Sequence, residues 1–552
     1  MPPVPVVTSS GASTPTPTGG NVVSVVVAVD SIAGGYNPHQ LADQSAVTNA
    51  MADLMLPSVF RTAADGSPVL DRNVMVSADV TKASPFTVTY TVRSDASWSD
   101  GAPIDATDFV YLRNQMISQP GVVDPAGYRL ISGIAARDND KVVQVTFSQP
   151  YPGWRSLFND LLPAHLLKDA PGGWAGALAE TYPATAGPFD IRSIDTLGGE
   201  ITLERSDRYW GKPSVLDRIV LRKTAIQDAV DALRTGADQM AYTQANAAGM
   251  GLLGDLGSTV SLSTVPTGLI ASVLLRPTNT VLADPNVRAA VVAALDRDAL
   301  IAAGTGGGPA QSFRADALVM PPSRTGYRSS LPAGRPSGAD PATVSRLLTQ
   351  AGYTETGGLW SRDGQALQLA IAAPANTEPY VTIAHTVQQE LTAAGISASV
   401  STPSASQLYN QELAPTSSSG GSTSSTAPSG GGVGEVDILV GPQPAAGDPA
   451  TELASWFGCT TATSSGTTAP AGPLDWCDST LQPTISAALT GTTALPDALS
   501  NVEPALWGQN VEIPLFQVCE ELAIGHSVTG VSSGPPLVGP FDEAATWART
   551  NG

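Results

Sequence analysis

The sequence predicts an α/β protein, and three features of the chain support this prediction. An unbroken apolar run, Val22–Val29, has the composition of a buried strand in a parallel sheet. Apolar and polar residues alternate at 88–92 and at 142–147, which is typical of half-buried hairpin strands. Helical periods that begin at acidic caps recur in the second half of the chain. Buried strands, hairpins and crossover helices together favour a mixed α/β fold.

The segment VTYTVRSDASWSDGAPIDATDFVY, which begins at Val88, predicts a strand, a turn and a helix in close succession. Gly101 ends a Ser-Asp-Gly turn, because glycine accepts positive φ. Asp105 is placed to cap the helix, and Asp108 falls in the first turn, where the helix dipole favours a carboxylate. We expect Trp98 to pack this unit together and not to contact a ligand.

Three further helices are predicted from their caps and apolar faces. Asp284-Pro285 and Asp340-Pro341 each place an acidic N-cap before a proline at the first helical position, where no N–H is needed. The third helix, 380–394, ends at Gly395 and leads into the strand sequence ISASVS. Helices that feed strands in this way are typical of crossover connections.

Length and charge limit the classes of function. The chain has 552 residues, which predicts two to four domains. It carries 28 Lys and Arg against 49 Asp and Glu, a formal net charge of −21. A field of this sign repels nucleic acids and anionic lipid surfaces, so we expect no nucleic-acid partner.

The three cysteines predict one disulfide. Cys459 and Cys477 flank a loop rich in Ser, Thr, Gly and Pro, a setting suited to a disulfide in an oxidising compartment, whereas Cys519 lies in an apolar strand-like run. We therefore expect a Cys459–Cys477 bond and a buried thiol at Cys519. The alternative is three unpaired cysteines; no spacing resembles a zinc site.

Two segments are predicted to lie outside the packed fold. Residues 1–20 are rich in Pro, Ser and Thr and lack the pattern of a signal peptide, so we expect a flexible tether. Residues 415–434 hold seven Ser and six Gly and no charge, which predicts a flexible surface insertion. The longest apolar run is too short to span a membrane.

Short motifs with catalytic associations fail on their spacing. In GHSVTG, the second glycine falls one position too late for a nucleophile elbow at Ser527. GTGGGP lacks the Lys-Ser/Thr of a P-loop, and Gln149 stands where a calcium loop near Asp138 would need glutamate. The four histidines show no metal-ligand spacing. The sequence therefore predicts a protein that is not an enzyme and has no cofactor and no metal.

Five motifs carry a family resemblance in their order along the chain. They are the segment from Val88, TAGPFDIRSIDTLGGEITLERSDRYWGKPSVLDRIVLR (185–222), DALRTGADQMAY (231–242), NVRAAVVAALDRDALI (286–301) and DPATVSRLLTQAGY (340–353). Together they resemble the family 5 extracytoplasmic solute-binding proteins of peptide and nickel ABC importers. The resemblance implies a two-lobed, periplasmic-binding-protein-like (class II) fold with an extra subdomain in the N-terminal lobe. It implies lobes of 21–267 with 510–552, and of 268–509, closing on a ligand by hinge motion.

The resemblance also places candidate ligand-binding residues in the cleft between the lobes. Tyr36 and Asn37 follow the first strand, and Gln443, Asp448 and Trp456 follow the strand that borders the cleft in the family. The alternative is that each of these is an ordinary loop residue.

One position departs from the pattern of the peptide importers. In those proteins an aspartate after the strand that corresponds to DILV holds the amino terminus of the peptide. Ala445 and Ala446 stand near that position here, and Asp448 follows a few residues on. This difference argues against peptide binding.

The Ser/Gly insertion, the Thr/Pro-rich leader and the ending DEAATWART resemble an actinobacterial lipoprotein branch of the family. The branch implies a monomer at the extracytoplasmic face of the cell membrane, held by a lipid anchor upstream of residue 1. It implies binding of a glycolipid, monoacyl phosphatidylinositol tetramannoside, or regulation of its use in phosphatidylinositol mannoside and lipoarabinomannan synthesis. A membrane mannosyltransferase or its regulators would be partners. The alternatives are a peptide receptor of an ABC importer and, from another class, a hydrolytic enzyme.

Overall fold

The computed structural model describes residues 22–32, 34–278, 281–335, 337–414, 436–461 and 468–550. The predicted tether at 1–20 and the predicted insertion at 415–434 lie outside the described residues. Within the described part, no helix is long and apolar enough to cross a lipid bilayer.

Strands and helices are interspersed along the chain, with several runs of consecutive strands. The strands are β1 (Ser24–Val29), β2 (Phe60–Thr62), β3 (Pro68–Leu70), β4 (Met75–Ala83), β5 (Phe86–Val92), β6 (Ile131–Arg137), β7 (Val142–Phe147), β8 (Phe189–Asp195), β9 (Glu200–Arg205), β10 (Arg218–Lys223), β11 (Met240–Thr243), β12 (Val260–Leu275), β13 (Thr354–Thr356), β14 (Leu359–Arg362), β15 (Gln365–Ala366), β16 (Gln368–Ala372), β17 (Ser397–Ser401), β18 (Ile438–Pro444), β19 (Cys459–Thr461), β20 (Thr468–Pro470), β21 (Glu512–Gly525), β22 (Val528–Thr529) and β23 (Ala548–Arg549).

The helices are α1 (Ala46–Met55), α2 (Ala106–Ser118), α3 (Ala126–Arg129), α4 (Ala164–Leu167), α5 (Gly173–Ala177), α6 (Ile226–Thr235), α7 (Ala247–Gly254), α8 (Pro285–Ala294), α9 (Arg297–Thr305), α10 (Pro341–Gln350), α11 (Tyr380–Ala393), α12 (Ala405–Gln407), α13 (Pro449–Phe457), α14 (Gln482–Leu489) and α15 (Leu495–Gln509). Short 3₁₀ turns occur at Leu41–Asp43, Pro152–Ser156, Gly257–Thr259, Pro309–Ser312 and Pro540–Thr546, and a π turn at Leu408–Glu412. The α/β prediction is confirmed.

The largest sheet organises the molecule. Among the described residues it has ten strands, in the order β17-β16-β18-β12-β21-β11-β1-β10-β9-β8. The predicted buried strand is β1, which lies parallel to both β10 and β11. The long strands β12 and β21 pair from Val260–Gly525 to Leu274–Glu512, with a register shift between Pro266 and Ile270. These two strands connect the half of the sheet around β1 with the half around β16.

The strand-turn-helix segment belongs to a smaller antiparallel sheet, β4-β5-β7-β6. Asp105 caps α2 by accepting the N–H of Thr107 at 2.8 Å, and Asp108 accepts the N–H of Asp105 at 3.2 Å. The indole Nε1–H of Trp98 donates to Asp108 at 3.1 Å in a buried site. The prediction that Trp98 packs this unit is confirmed: its polar atom is used inside the protein.

Two large apolar clusters form the core. One gathers α8, α9, α11 and β16 with the first part of β21. The other extends from β1 and α1 through α2 and also includes Leu453 and Phe457 of α13 and Leu506 of α15. Since α13 and α15 were assigned to the second lobe on sequence grounds, these contacts join the two predicted lobes. The residue bounds of the lobes stay a prediction.

Candidate ligand-binding cavity

The main cavity of the protein, about 480 Å³ in volume, is lined from both halves of the chain. One wall comes from α1, from the loop after β1 and from residues 156–160. The opposite wall comes from Gly268 and Leu269 of β12, from the start of α13 and from Arg324. Such a cleft between packed units is where ligands of binding proteins collect.

Arg324 and two carboxylates, Asp124 and Asp448, line the cavity. A third carboxyl group, that of Glu452, is buried beside them and does not line the cavity. Asp448 caps α13, where it accepts the N–H of Thr451 at 3.0 Å and its hydroxyl at 2.8 Å. Arg324 is held loosely: its Nη1 lies 4.0 Å from an oxygen of Glu452 and 3.4 Å from the carbonyl of Ala445. Asp124 completes the group from the other wall. We call these four residues, Asp124, Arg324, Asp448 and Glu452, the acid-arginine cluster.

Burial and mutual repulsion change the protonation of this cluster. Burial, followed by the charge of Asp448, raises the pKa of Asp124 to about 7, although Arg324 opposes the shift. Burial and the nearby Asp124 raise the pKa of Glu452 well above its ordinary value. Near neutral pH the cluster therefore carries fewer negative charges than its three carboxyl groups suggest, and Asp124 titrates within the physiological range.

Backbone geometry brings Asp124 to this place. Its φ is +51°, a left-handed conformation that costs energy in a residue with a side chain. Gly447 faces it so closely that a Cβ atom there would come within 2.7 Å of the Asp124 carboxylate. A glycine at this position therefore lets the two walls meet.

Arg61, a second arginine in the lining of the cavity, is held by several hydrogen bonds within the protein. Arg61 donates to Asp71 at 2.9 Å, to Asp542 at 3.4 Å, and to the carbonyls of Asp53 and Leu56. Arg61 and Arg324 are the two arginines among the described lining residues. Because Arg61 already has its partners, Arg324 is the more available cation.

His39 adds a polar ring without a fixed charge to the lining of the cavity. His39 donates from Nε2 to the carbonyl of Asp160 at 2.8 Å and stacks on Trp174. Burial lowers the pKa of His39, so the ring is neutral at physiological pH. Ser58 and Asn159 lie beside it. Apolar side chains fill the gaps in this lining, namely Met116, Leu157, Leu269, Leu537 and Val538.

Of the five predicted ligand residues, Asp448 lines the cavity. Gln443 is buried and donates to the carbonyl of Leu318, and Trp456 is buried with its Nε1–H donating to Glu512 at 2.9 Å. The donor groups of both side chains are therefore used inside the protein, whereas the buried Oε1 of Gln443 has no partner among the described residues.

Tyr36 and Asn37 are also buried and do not line the cavity. The carbonyl of Tyr36 accepts the hydroxyl of Tyr182, and the amide oxygen of Asn37 accepts the N–H of His39. These two residues shape the loop that carries His39. A role for them, for Gln443 or for Trp456 in binding stays a prediction.

Sequence reasoning missed Asp124, Arg324 and Glu452. A usable signal was present at Asp124, since it precedes Pro125 as Asp448 precedes Pro449. The aspartate at 448 caps its helix, whereas α3 has Pro125 at its cap and no side-chain cap bond. An Asp-Pro pair whose aspartate is not used as a cap is free for another role.

A disulfide joins Cys459 and Cys477, and Cys519 is a buried free cysteine. Among the residues the structure describes, no group of three or more His, Cys, Asp or Glu side chains is arranged to hold a metal ion.

Comparison with known proteins places this architecture among binding proteins. Residues 76–432 match the sequence model of the bacterial extracellular solute-binding proteins, family 5 Middle. The chain is 35% identical, over its whole length and 95% of the relative, to the probable monoacyl phosphatidylinositol tetramannoside-binding protein LpqW of Mycobacterium tuberculosis.

Peptide-binding proteins are similar over less of the sequence. The chain is 27% identical to the oligopeptide-binding protein OppA of Mycobacterium tuberculosis, over 60% of this chain and 56% of that one. The solved structure of the oligopeptide-binding protein AppA from Bacillus subtilis, in complex with a nonapeptide, shares the fold. Its TM-score is 0.72 at 15% identity, with 96% of this chain and 100% of that chain covered.

Proposed function

The chain belongs to the bacterial extracellular solute-binding proteins of family 5, and on that premise we propose that its main cavity binds a glycolipid of the monoacyl phosphatidylinositol mannoside class. The observation that carries the proposal is the 35% identity to LpqW over the whole chain. Similarity to a peptide-binding relative reaches 60% of the chain. The protein would act by binding and hinge closure, without chemistry.

The lining of the cavity supports each part of such a ligand. Arg324 is placed to pair with the phosphodiester, since an arginine with loose internal contacts can donate two hydrogen bonds to phosphate. Asp124, Ser58 and Asn159 offer the polar groups that sugar hydroxyls need. Leu269 and its apolar neighbours suit a short length of acyl chain, where each buried methylene contributes about 0.8 kcal/mol.

The alanines at 445 and 446, where the peptide importers carry an anchoring aspartate, further support a ligand without an amino terminus. Ala445 is buried, and its N–H donates to the carbonyl of Gly268 at 2.8 Å. The backbone at this position is therefore used in the fold, and the side chain offers no charge to an ammonium group.

A peptide is the second candidate, because the acid-arginine cluster offers more carboxyl groups than cations. With Asp124 and Asp448 both ionised, the cluster could hold an ammonium group. The two candidates respond to pH in opposite directions. As pH rises through the pKa of about 7 of Asp124, a negative charge appears beside Arg324. Affinity for a phosphodiester should then fall, and affinity for an ammonium group should rise.

The test is calorimetry with a monoacyl phosphatidylinositol mannoside, with its deacylated water-soluble form, and with a random peptide pool. Each is measured about one pH unit below and above the pKa of Asp124. We expect both mannosides to bind, the acylated one more tightly, and both to weaken at the higher pH. Asp124→Asn should remove that pH dependence. Binding of the peptides alone, or of none of the three, would contradict the proposal.

A further inference from the structure

A second cavity of about 340 Å³ lies where the two halves of the main sheet meet, and it shares no lining residue with the main cavity. Its walls come from Asp30 after β1, residues 244–246 after β11, the end of α9, the start of α11 and residues 516–521 of β21. An occupant would touch elements of both apolar clusters at once.

The charged side chains that line this second cavity are all acidic. Asp30, Glu378 and Glu521 line the cavity, and none of the described lining residues is a lysine, arginine or histidine. The last turn of α9 also lines it, and the carbonyl end of a helix favours a cation. The exposed Lys223 of β10 acts on Asp30 from outside the cavity.

One carboxylate oxygen is left without a partner. Glu521 is only 1% exposed, and its Oε2 accepts the hydroxyl of Thr264 at 3.0 Å. Its Oε1 is buried and has no hydrogen-bond partner in the described structure. Glu520, the next residue, has a buried Oε2 in the same state. A buried, unpaired carboxylate oxygen is costly, so Oε1 of Glu521, whose residue lines the cavity, calls for a donor that the described residues do not supply.

Among the described residues, no group of three or more His, Cys, Asp or Glu side chains is arranged to hold a metal ion, so these carboxylates do not suggest a metal chelate. Successive residues of a strand point to opposite faces, so Glu520 and Glu521 cannot bind one ion together. An ammonium group needs only one carboxylate at hydrogen-bond distance and further acceptors around it, and it can use three.

We propose that the second cavity binds a small organic cation that carries a primary ammonium group, with Glu521 as its main partner and Asp30 and Glu378 around it. The titratable groups that line this site are Asp30, Glu378, Cys519 and Glu521. Lys223 and Glu520 act on them from outside the lining. Burial raises the pKa of both Glu520 and Glu521. A bound cation reverses this shift, so binding should strengthen as pH rises.

Cys519 provides a local reporter of occupancy, because its thiol lines this cavity and the other two cysteines form the disulfide. The experiment follows alkylation of Cys519 by N-ethylmaleimide, a neutral reagent, by mass spectrometry. The intact protein is titrated with putrescine, and sodium chloride of matched ionic strength serves as the control for general screening.

We expect saturating putrescine to slow alkylation by about tenfold, with sodium chloride having no such effect. Glu521→Gln should abolish this protection, and Asp30→Asn should weaken it, which provides a second variant if the first does not fold. Glu355→Gln, a substitution on an exposed strand, is the control: putrescine should slow alkylation of Cys519 in this variant as much as in the unmodified protein. Equal alkylation rates with putrescine and with salt, or full protection in Glu521→Gln, would overturn the proposal.

Discussion

Arg324 and Arg61 line the same cavity but differ in what they can still do. Arg61 donates to two aspartates and two carbonyls, whereas the Nη1 of Arg324 lies 4.0 Å from its carboxylate neighbour. A substitution at Arg61 would remove structural bonds. A substitution at Arg324 would mainly remove a charge that faces the cavity.

Arg324→Gln should therefore weaken binding of the deacylated phosphatidylinositol mannoside by about tenfold, equal to about 1.4 kcal/mol, because one charge-assisted hydrogen bond to phosphate is lost. The melting temperature should change little. Calorimetry measures the first effect and thermal unfolding the second. Arg328→Gln is the matched control, since Arg328 is exposed and does not line the cavity. Equal losses in both variants would exclude a specific role for Arg324.

The buried carboxyl group of Glu512 should make the stability of the protein depend on pH. Burial raises its pKa to about 8 in the folded protein, against about 4.3 in an unfolded chain. Between these values the folded protein holds a proton that the unfolded chain has released. The free energy of unfolding should then fall with rising pH in this window, by up to about 1.4 kcal/mol per pH unit from this group.

Glu512→Gln should flatten that part of the profile, because the amide stays neutral and its oxygen can still accept from Trp456. Urea unfolding at several pH values measures the slope. Glu355→Gln, at an exposed site, should keep the slope of the unmodified protein. A Glu512→Gln slope equal to that of this control would show that Glu512 does not retain a proton on folding.

At the scale of elements, helix caps and glycine turns proved predictable because each depends on a few neighbouring residues. The aspartates at 105, 284 and 340 cap helices as predicted. Parallel pairing of β1 was also predictable from its unbroken apolar run. What local rules could not give was the position of α13 against α3, since the N–H of Ala126 donates to Ser455 across 329 positions.

The cap of α2 can be tested directly. Asp105→Ala should lower the free energy of unfolding by about 1 kcal/mol, because the N–H of Thr107 loses its acceptor. Asp105→Asn should cost only a few tenths of that, since asparagine caps nearly as well. Urea unfolding distinguishes the two. An equal loss in both variants would assign the effect to charge and not to the cap.

The disulfide between Cys459 and Cys477 joins residues 18 apart. The double Cys→Ser variant should lower the free energy of unfolding by about 3 kcal/mol, because the unfolded chain regains the entropy of an open loop. Cys519→Ser is the control, because it removes a cysteine sulfur but leaves the disulfide intact. Peptide mapping that joins Cys519 to either partner would contradict the assignment.

At the scale of the whole molecule, the binding cavity joins residues that are distant in sequence. Asp124 and Glu452 are 328 positions apart, and direct contacts such as the hydrogen bond from Ala126 to Ser455 hold their segments together. Asp448 could be placed near the cavity because a family resemblance located the strand before it. Arg324 had no comparable signal, since it lies in a loop whose path depends on tertiary contacts such as the bond from Ser323 to Gln517.

The net charge of −21 gives a prediction about salt. An anionic glycolipid is repelled by the whole protein and meets a cluster with more carboxyl groups than cations. Screening should therefore strengthen its binding as ionic strength rises from about 0.01 M to about 0.15 M. The same screening should weaken binding of a peptide ammonium group. Calorimetry at both ionic strengths measures the sign, and a glycolipid affinity that falls with salt would contradict this account of the field.

The place of β21 in the sheet has a consequence for biosynthesis. This strand lies between β12 and β11, yet it is synthesised long after both of them, at residues 512–525. Until it leaves the ribosome, both neighbours keep an open edge and the centre of the sheet is missing. The centre of the sheet therefore cannot close before residues 512–525 have been synthesised, and its closure is a search for distant partners that is slow in any sheet of high contact order. A chain that stays open this long is accessible to a chaperone or to an export machine that requires unfolded substrates.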